Sequence, residues 1–174
     1  IKITKKTTKT TLYLGWSIKY FRICFPMNSE ELTTLFNHGF TTNSLAHAYI
    51  LFGFQHPTLL DSAINIAKSY IYNNENNSSN HTINTLECPD VFILNEEPSI
   101  KIEHIKKIQE HIKYGPHLLK QSFIIMNNTN TLTPQAANAF LKTLEEPPKN
   151  IKFLLLTNNL ESILPTIKSR CVTL

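Results

Sequence analysis

The stretch LFGFQHPTLLDSAINIAKSY, residues 51–70, decides how the rest of the chain is read. An apolar run meets Gly53, a short irregular segment comes next, and Ala63, Ile64, Ile66 and Ala67 then fall into a helical pattern. Strand, loop and helix in this order form the frame of a phosphate site. In a loop of the form GxxxxGK[ST], backbone N–H groups cradle phosphate at the helix N-terminus, a Lys reaches the terminal phosphates and a hydroxyl holds magnesium. Counting from Gly53, the second Gly position is Thr58, the Lys position is Leu59 and the hydroxyl position is Leu60. Pro57, between them, also lacks an N–H donor. A leucine neither counters a triphosphate's charge nor ligates magnesium. The stretch is either an ordinary strand–loop–helix that never bound nucleotide, or a nucleotide frame whose chemistry is gone.

Working outward, the pattern repeats. NSEELTTLFNHG carries helix signals at both ends, with Asn28 and Glu31 spaced as a capping box and Gly39 placed as a stop. HAYILFG reads as a short buried strand and residues 59–72 as a helix. Residues 73–85, NNENNSSNHTINT, read as a surface loop with nothing to bury. PDVFIL is a second strand, and Ile102, Ile105, Ile108 and Ile112 share one face of a helix that ends at Gly115-Pro116. SFIIM is a third strand, apolar throughout as a strand buried on both faces should be. Thr133 caps a helix with Pro134 at its first position, and Pro147-Pro148 stops it. IKFLLLT is a fourth strand, a short helical stretch covers residues 162–168, and CVTL begins a fifth strand. Alternating strands and helices predict a parallel sheet covered on both faces, a three-layer α/β/α domain with five parallel strands.

The bulk composition agrees with one folded domain. The chain has 174 residues, 41% of them hydrophobic and 17% charged, with a formal charge of +4. That balance excludes a disordered chain and permits contact with nucleic acid without requiring it. Cys24, Cys88 and Cys171 lie far apart with no CxxC pair, which predicts a reducing, cytoplasmic setting and neither a disulfide framework nor a metal site. No apolar run approaches the roughly 20 residues of a membrane span. Residues 1–26 differ in composition from the remainder of the chain and read as an extension, with the domain occupying 27–174; the rival reading makes TLYLGWSIKYF an extra strand.

A second motif points the same way as the first. Phosphate-loop ATPases end a hydrophobic strand with Asp-Glu, for magnesium and for the attacking water. Here SFIIMNNTNTL puts Asn127 and Asn128 at that strand end. An amide has a carboxylate's shape without its charge, so it is a poor magnesium ligand and no general base. Two parts of one mechanism are neutral together, which favours the retired site.

The run NAFLKTLEEPP, then FLLLT, then ILPTIKSRC resembles the bacterial clamp-loader subunits of DNA polymerase III, of the AAA+ group, and LAHAYILFG and CPDVFIL fit the strands ahead of them. The resemblance covers residues 27–174. Active gamma/tau subunits keep the Lys-Thr and the Asp-Glu; delta prime subunits lose the nucleotide chemistry and keep Ser-Arg-Cys. With Leu59-Leu60, Asn127-Asn128 and Ser169-Arg170-Cys171, this chain is similar to delta prime. The resemblance implies a non-hydrolysing partner of gamma/tau and delta subunits, acting indirectly on the sliding clamp and primed DNA, with no cofactor, membrane or small-molecule substrate of its own. Alternatives are a gamma/tau-like ATPase, or a truncated AAA+ module that is either an interaction domain outside replication or a relic without activity. The family's four-cysteine zinc module is reduced here to Cys88, so no zinc is expected. The family's lid and collar domains lie beyond Ser-Arg-Cys, and neither is expected in a sequence that stops at Leu174.

The same resemblance assigns roles. Arg170 would reach the neighbouring subunit's ATP and stabilise charge on the transferring phosphoryl group, with Ser169 setting the turn and Cys171 packing as a small hydrophobe. The rival reading of Arg170 is a surface arginine paired with a local carboxylate. Glu145 and Glu146 stand either at a contact with an adjoining subunit or at a solvated helix end. Thr157 and Asn158 hold the sensor position, here reduced to strand-end hydrogen bonding. Lys101, Lys106, Lys107, Lys113 and Lys120 read as a solvated face, and His104 and His111 as surface residues without metal spacing.

Overall fold

The computed structural model describes residues 29–53, 56–75 and 87–174. The expectations for residues 1–26, the domain start at Met27 and the Asn28 cap lie outside them.

In chain order the elements are α1 (Ser29–Thr42), β1 (Ala48–Phe52), α2 (His56–Glu75), β2 (Val91–Leu94), α3 (Ile102–Ile112), β3 (Ser122–Met126), α4 (Pro134–Glu145), β4 (Ile151–Thr157), α5 (Pro165–Lys168) and β5 (Val172–Thr173). The five strands form one sheet in the order β2-β3-β4-β1-β5, and every pairing is parallel. Successive side chains of a strand point to opposite faces, so the apolar run of β1 feeds two cores. Ala48 and Ile50 pack with Phe153 and Leu155 of β4 and with α3, α4 and α5, through Ile105, Ile108, Phe140, Leu144 and Ile167. Tyr49 and Leu51 pack on the other face with Leu154, Leu156, α1 and α2, through Phe36, Ile66, Ala67 and Tyr70. This is the expected three-layer α/β/α arrangement.

The boundary differences from the sequence reading that have a clear cause lie at α1, α2 and α5. Gly39 does not stop α1, which runs on to Thr42. The stop is Asn43, in the left-handed region at φ 51, with Ser44 N–H donating to the Gly39 carbonyl and Asn43 N–H to the Phe40 carbonyl. That is a Schellman closure with Asn in the glycine's usual place. Gly39 serves close approach instead, because a Cβ there would collide with the Leu45 side chain. Helix α2 begins at His56 and not at residue 59, since Pro57 suits a helix's first turn, where its missing N–H has no intrahelical partner to lose. It also runs to Glu75, past the expected loop start at residue 73. The helical stretch over 162–168 is split into a 3-10 turn, Leu160–Ser162, and α5, because the residue before Pro165 is pushed into extended backbone.

Elsewhere the signals hold. The Thr133 hydroxyl accepts from Ala136 N–H at 3.3 Å to cap α4, and Gly115 takes φ +73 in the turn after α3. Asp90 is fully buried just before β2, where it fixes the segment leading into β3. Its carboxylate accepts from the backbone N–H groups of His117, Leu118 and Leu119 at 2.6–2.7 Å.

Candidate functional site

All strands run the same way, so their C-terminal ends share one edge of the sheet. Between β4 and β1 the chain order changes direction, and ligands of open α/β sheets bind in the crevice at such a point. Gly53 leaves β1 there and donates its N–H to the Thr157 carbonyl at the end of β4, at 3.2 Å. Leu59, in the Lys position, folds back toward Gly53, at 3.5 Å from where a Cβ of that residue would stand. Leu59 and Leu60 are half-buried against the α1–α2 core. Their side chains extend the apolar packing at the place where a phosphate site needs cationic and hydroxyl groups. Thr58 is the third residue of α2.

At the ends of β2, β3 and β4, amides and a hydroxyl occupy the edge. Asn127 is buried, and its side-chain N–H donates to Asn95 Oδ1 at 2.8 Å. Its own Oδ1 is buried without a hydrogen-bond partner among the described residues. Asn128 adopts the left-handed conformation at φ 52 and its side chain is half-buried. Thr157 is fully buried; its hydroxyl accepts from Asn159 N–H at 3.1 Å and lies 3.3 Å from Asn130 Oδ1. Asn158 is exposed beside it. Thr157 thus makes strand-end hydrogen bonds. Asn95 and Asn130 were not singled out by the sequence; only the sheet order, with β2 beside β3, brings Asn95 to Asn127.

Arg170 sits at the opposite edge, two residues before β5 enters the sheet beside β1. Its Nη2 donates to Glu145 Oε1 at 2.7 Å across the gap between α5 and the end of α4. Its Nη1 donates to the Thr166 carbonyl at 2.9 Å and lies 3.3 Å from Ser169 Oγ. The local-carboxylate partner of the rival reading thus exists, and it is Glu145. Glu146 is exposed. The Ser169 hydroxyl donates back to the Thr166 carbonyl at 3.0 Å and so holds the turn. Cys171 is half-buried against the α3–α4 core, and burial pushes its thiol up to about 12. It is a packing residue and a poor nucleophile.

The remaining polar residues are structural or solvated. Lys101, Lys106, Lys107, Lys113 and Lys120 are exposed. Both histidines depart from the surface reading: the His104 side chain is only 18% exposed, and His111 is half-buried, its ring centroid 4.9 Å from that of Phe92, with burial holding its pKa below the usual histidine range. His104 Nδ1 accepts from Lys101 N–H at 3.2 Å at the start of α3. Among the described residues no group of three His, Cys, Asp or Glu side chains is placed to hold a metal ion, and no helix is long and apolar enough to cross a membrane.

Residues 28–174 match the protein family described as "DNA polymerase III, delta subunit". The chain is 34% identical over 138 residues to DNA polymerase III subunit delta' of Bacillus subtilis, covering 75% of this chain and 42% of that protein. It is 29% identical over 164 residues to DNA polymerase III subunit gamma of Buchnera aphidicola subsp. Acyrthosiphon pisum, covering 90% of this chain and 45% of the relative. Among solved structures, a gamma subunit-related protein of Thermotoga maritima superposes with a TM-score of 0.64 at 26% identity, over 85% of this chain and 45% of that one. The chain spans less than half the length of each of these relatives.

Proposed function

The chain belongs to the family of DNA polymerase III clamp-loader subunits of AAA+ type, and from that premise we propose that it is a delta-prime-type member that does not hydrolyse ATP itself. In this reading it sits beside gamma/tau and delta subunits in the cytoplasm, and the assembly places a sliding clamp on primed DNA. Its own contribution is a rigid α/β/α body and one guanidinium, Arg170, offered to a neighbour's ATP.

The observation that carries the reading is the packing at the nucleotide-facing edge. Leu59 is spent on the apolar core and Asn127 on an amide pair with Asn95. Magnesium wants hard oxygen ligands in near-ideal octahedral geometry, with carboxylates supplying charge. An amide supplies none and takes no proton from water. At the opposite edge, a planar guanidinium matches phosphate oxygens in a way a Lys does not. An arginine on one edge and a vacated site on the other suit a head-to-tail ring, where each subunit's one edge meets the next subunit's other edge.

Titration of the full chain with a fluorescent ATP analogue and magnesium tests the first half. No saturation is expected below millimolar nucleotide, and saturation at micromolar levels would replace this reading with a gamma/tau-like ATPase. Retention by gamma-type and delta subunits tests the second half. Failure of both to bind would leave an AAA+ module outside replication.

A further inference from the structure

We propose that Glu145 is a positioning residue for Arg170, fixing which N–H groups of the guanidinium face outward. The proposal rests on the reading of Arg170 as an arginine offered in trans, and it names the side chain that orients it.

A guanidinium has five N–H donors in a planar fork. Three are committed here: one on Nη2 to Glu145 Oε1, and those on Nη1 to the Thr166 carbonyl and Ser169 Oγ. The Nε–H and the second Nη2–H make no hydrogen bond among the described residues, and the side chain remains 34% exposed. Anchors from two helices therefore hold the plane while leaving two donors for an incoming oxygen. An unanchored arginine would lose much of its rotamer freedom on meeting a phosphate; one anchored beforehand loses less.

The placement of Glu145 agrees. It is the last residue of α4, where the helix dipole opposes negative charge. The contact with Arg170 supplies the opposing positive charge. Only one carboxylate oxygen touches the guanidinium, so the pair orients Arg170 without occupying its whole fork.

The test is steady-state ATP turnover of the full chain reconstituted with its ATPase partner subunits, with assembly checked by gel filtration. Glu145→Ala should lower turnover at the one site that Arg170 serves about three- to tenfold, the cost of one newly mobile side chain, with KM for ATP at that site unchanged. Glu145→Gln keeps an acceptor and should stay within about twofold of the wild type. Adding Glu145→Ala to Arg170→Ala should cause no further loss, since nothing remains to be positioned. If Glu145→Ala runs at the wild-type rate while Arg170→Ala is slow, positioning is wrong and the trans arginine stands. If Arg170→Ala itself runs at the wild-type rate, the trans arginine falls and this inference with it. Faster turnover in Glu145→Gln would make the pair a restraint, and an additive double variant would mean Glu145 acts alone; either overturns the proposal. Should the Ala variant fail to assemble, Glu145→Asp, which keeps the charge and shortens the reach, carries the test: a lower kcat is expected, and an unchanged one is fatal.

Discussion

The two edges of the sheet have met opposite fates. Where β1, β3 and β4 end, Leu59 lies against apolar neighbours and Asn127 and Thr157 are buried in hydrogen bonds with other side chains. Where β5 begins, Arg170 is partly exposed and held by its neighbours in one orientation. One edge is packed into the body of the protein, and the other presents a guanidinium to solvent. In the proposed reading the two edges are halves of sites shared between neighbouring molecules, so that one can be silent while the other acts. The contrast is therefore an expectation about assembly as much as about catalysis.

The sharpest way to break it is Arg170→Ala. A trans arginine is worth roughly 10³–10⁵ in rate at the site it serves, so turnover at that one site should fall by roughly 10³ or more. Assembly should be unchanged, because an exposed ion pair contributes under about 1 kcal/mol. Single-turnover ATP hydrolysis by the reconstituted complex measures the first, and gel filtration the second. An unaltered rate would leave Arg170 as a surface arginine with a local partner, and the outward edge would be as silent as the other.

The next test restores an acid to the silent edge. Asn127→Asp puts a carboxyl at a buried position, and it also removes the donor that Asn95 Oδ1 accepts. The cost should be about 3 kcal/mol at pH 8. Its pH dependence has a definite sign. Burial raises the folded carboxyl above its ordinary value of about 3.9, so above that pH the unfolded chain ionises first and the folded state loses stability. Urea unfolding at pH 4.5 and pH 8 should show the larger deficit at pH 8. An equally stable variant that binds magnesium would mean the edge is still open for nucleotide chemistry.

The sheet was legible because its strands are buried on both faces, and a short, wholly apolar run such as SFIIM between polar neighbours fits little but a two-sided strand. The helices were legible from their spacing, and Thr133-Pro134 from its capping chemistry. Gly39 was misread because glycine serves two purposes, left-handed backbone and close approach, and only the position of Leu45 distinguishes them. Pro57 read as a lost donor, when it also marks the first turn of α2. The residue types of the site could be found along the chain, but their partners could not. Asn95 meets Asn127 because β2 pairs with β3, and Glu145 meets Arg170 because α4 packs against α5. Asp90 escaped notice for the same reason, its three N–H partners lying 27 to 29 residues away.

The smallest effect should come from Cys171, the neighbour of Arg170. It packs against the core that contains Ile167 and Leu144, so Cys171→Ala removes little more than one buried heavy atom and should cost about 1 kcal/mol. ATP turnover should stay within about twofold, because the Arg170 anchors come from Glu145, Thr166 and Ser169. The thiol also adds a pH signature that alanine lacks. Well below pH 9 it is neutral in both folded and unfolded chains; as pH rises through 9 toward about 12, it is mainly the unfolded chain that ionises. Wild type should therefore lose stability relative to Cys171→Ala across that window, read as converging urea midpoints between pH 8 and 10. Parallel midpoints would mean the thiol is solvated when folded. Cys171 would then belong with Arg170 on the outward-facing edge, and the boundary between packed and presented residues would fall one position later in the chain.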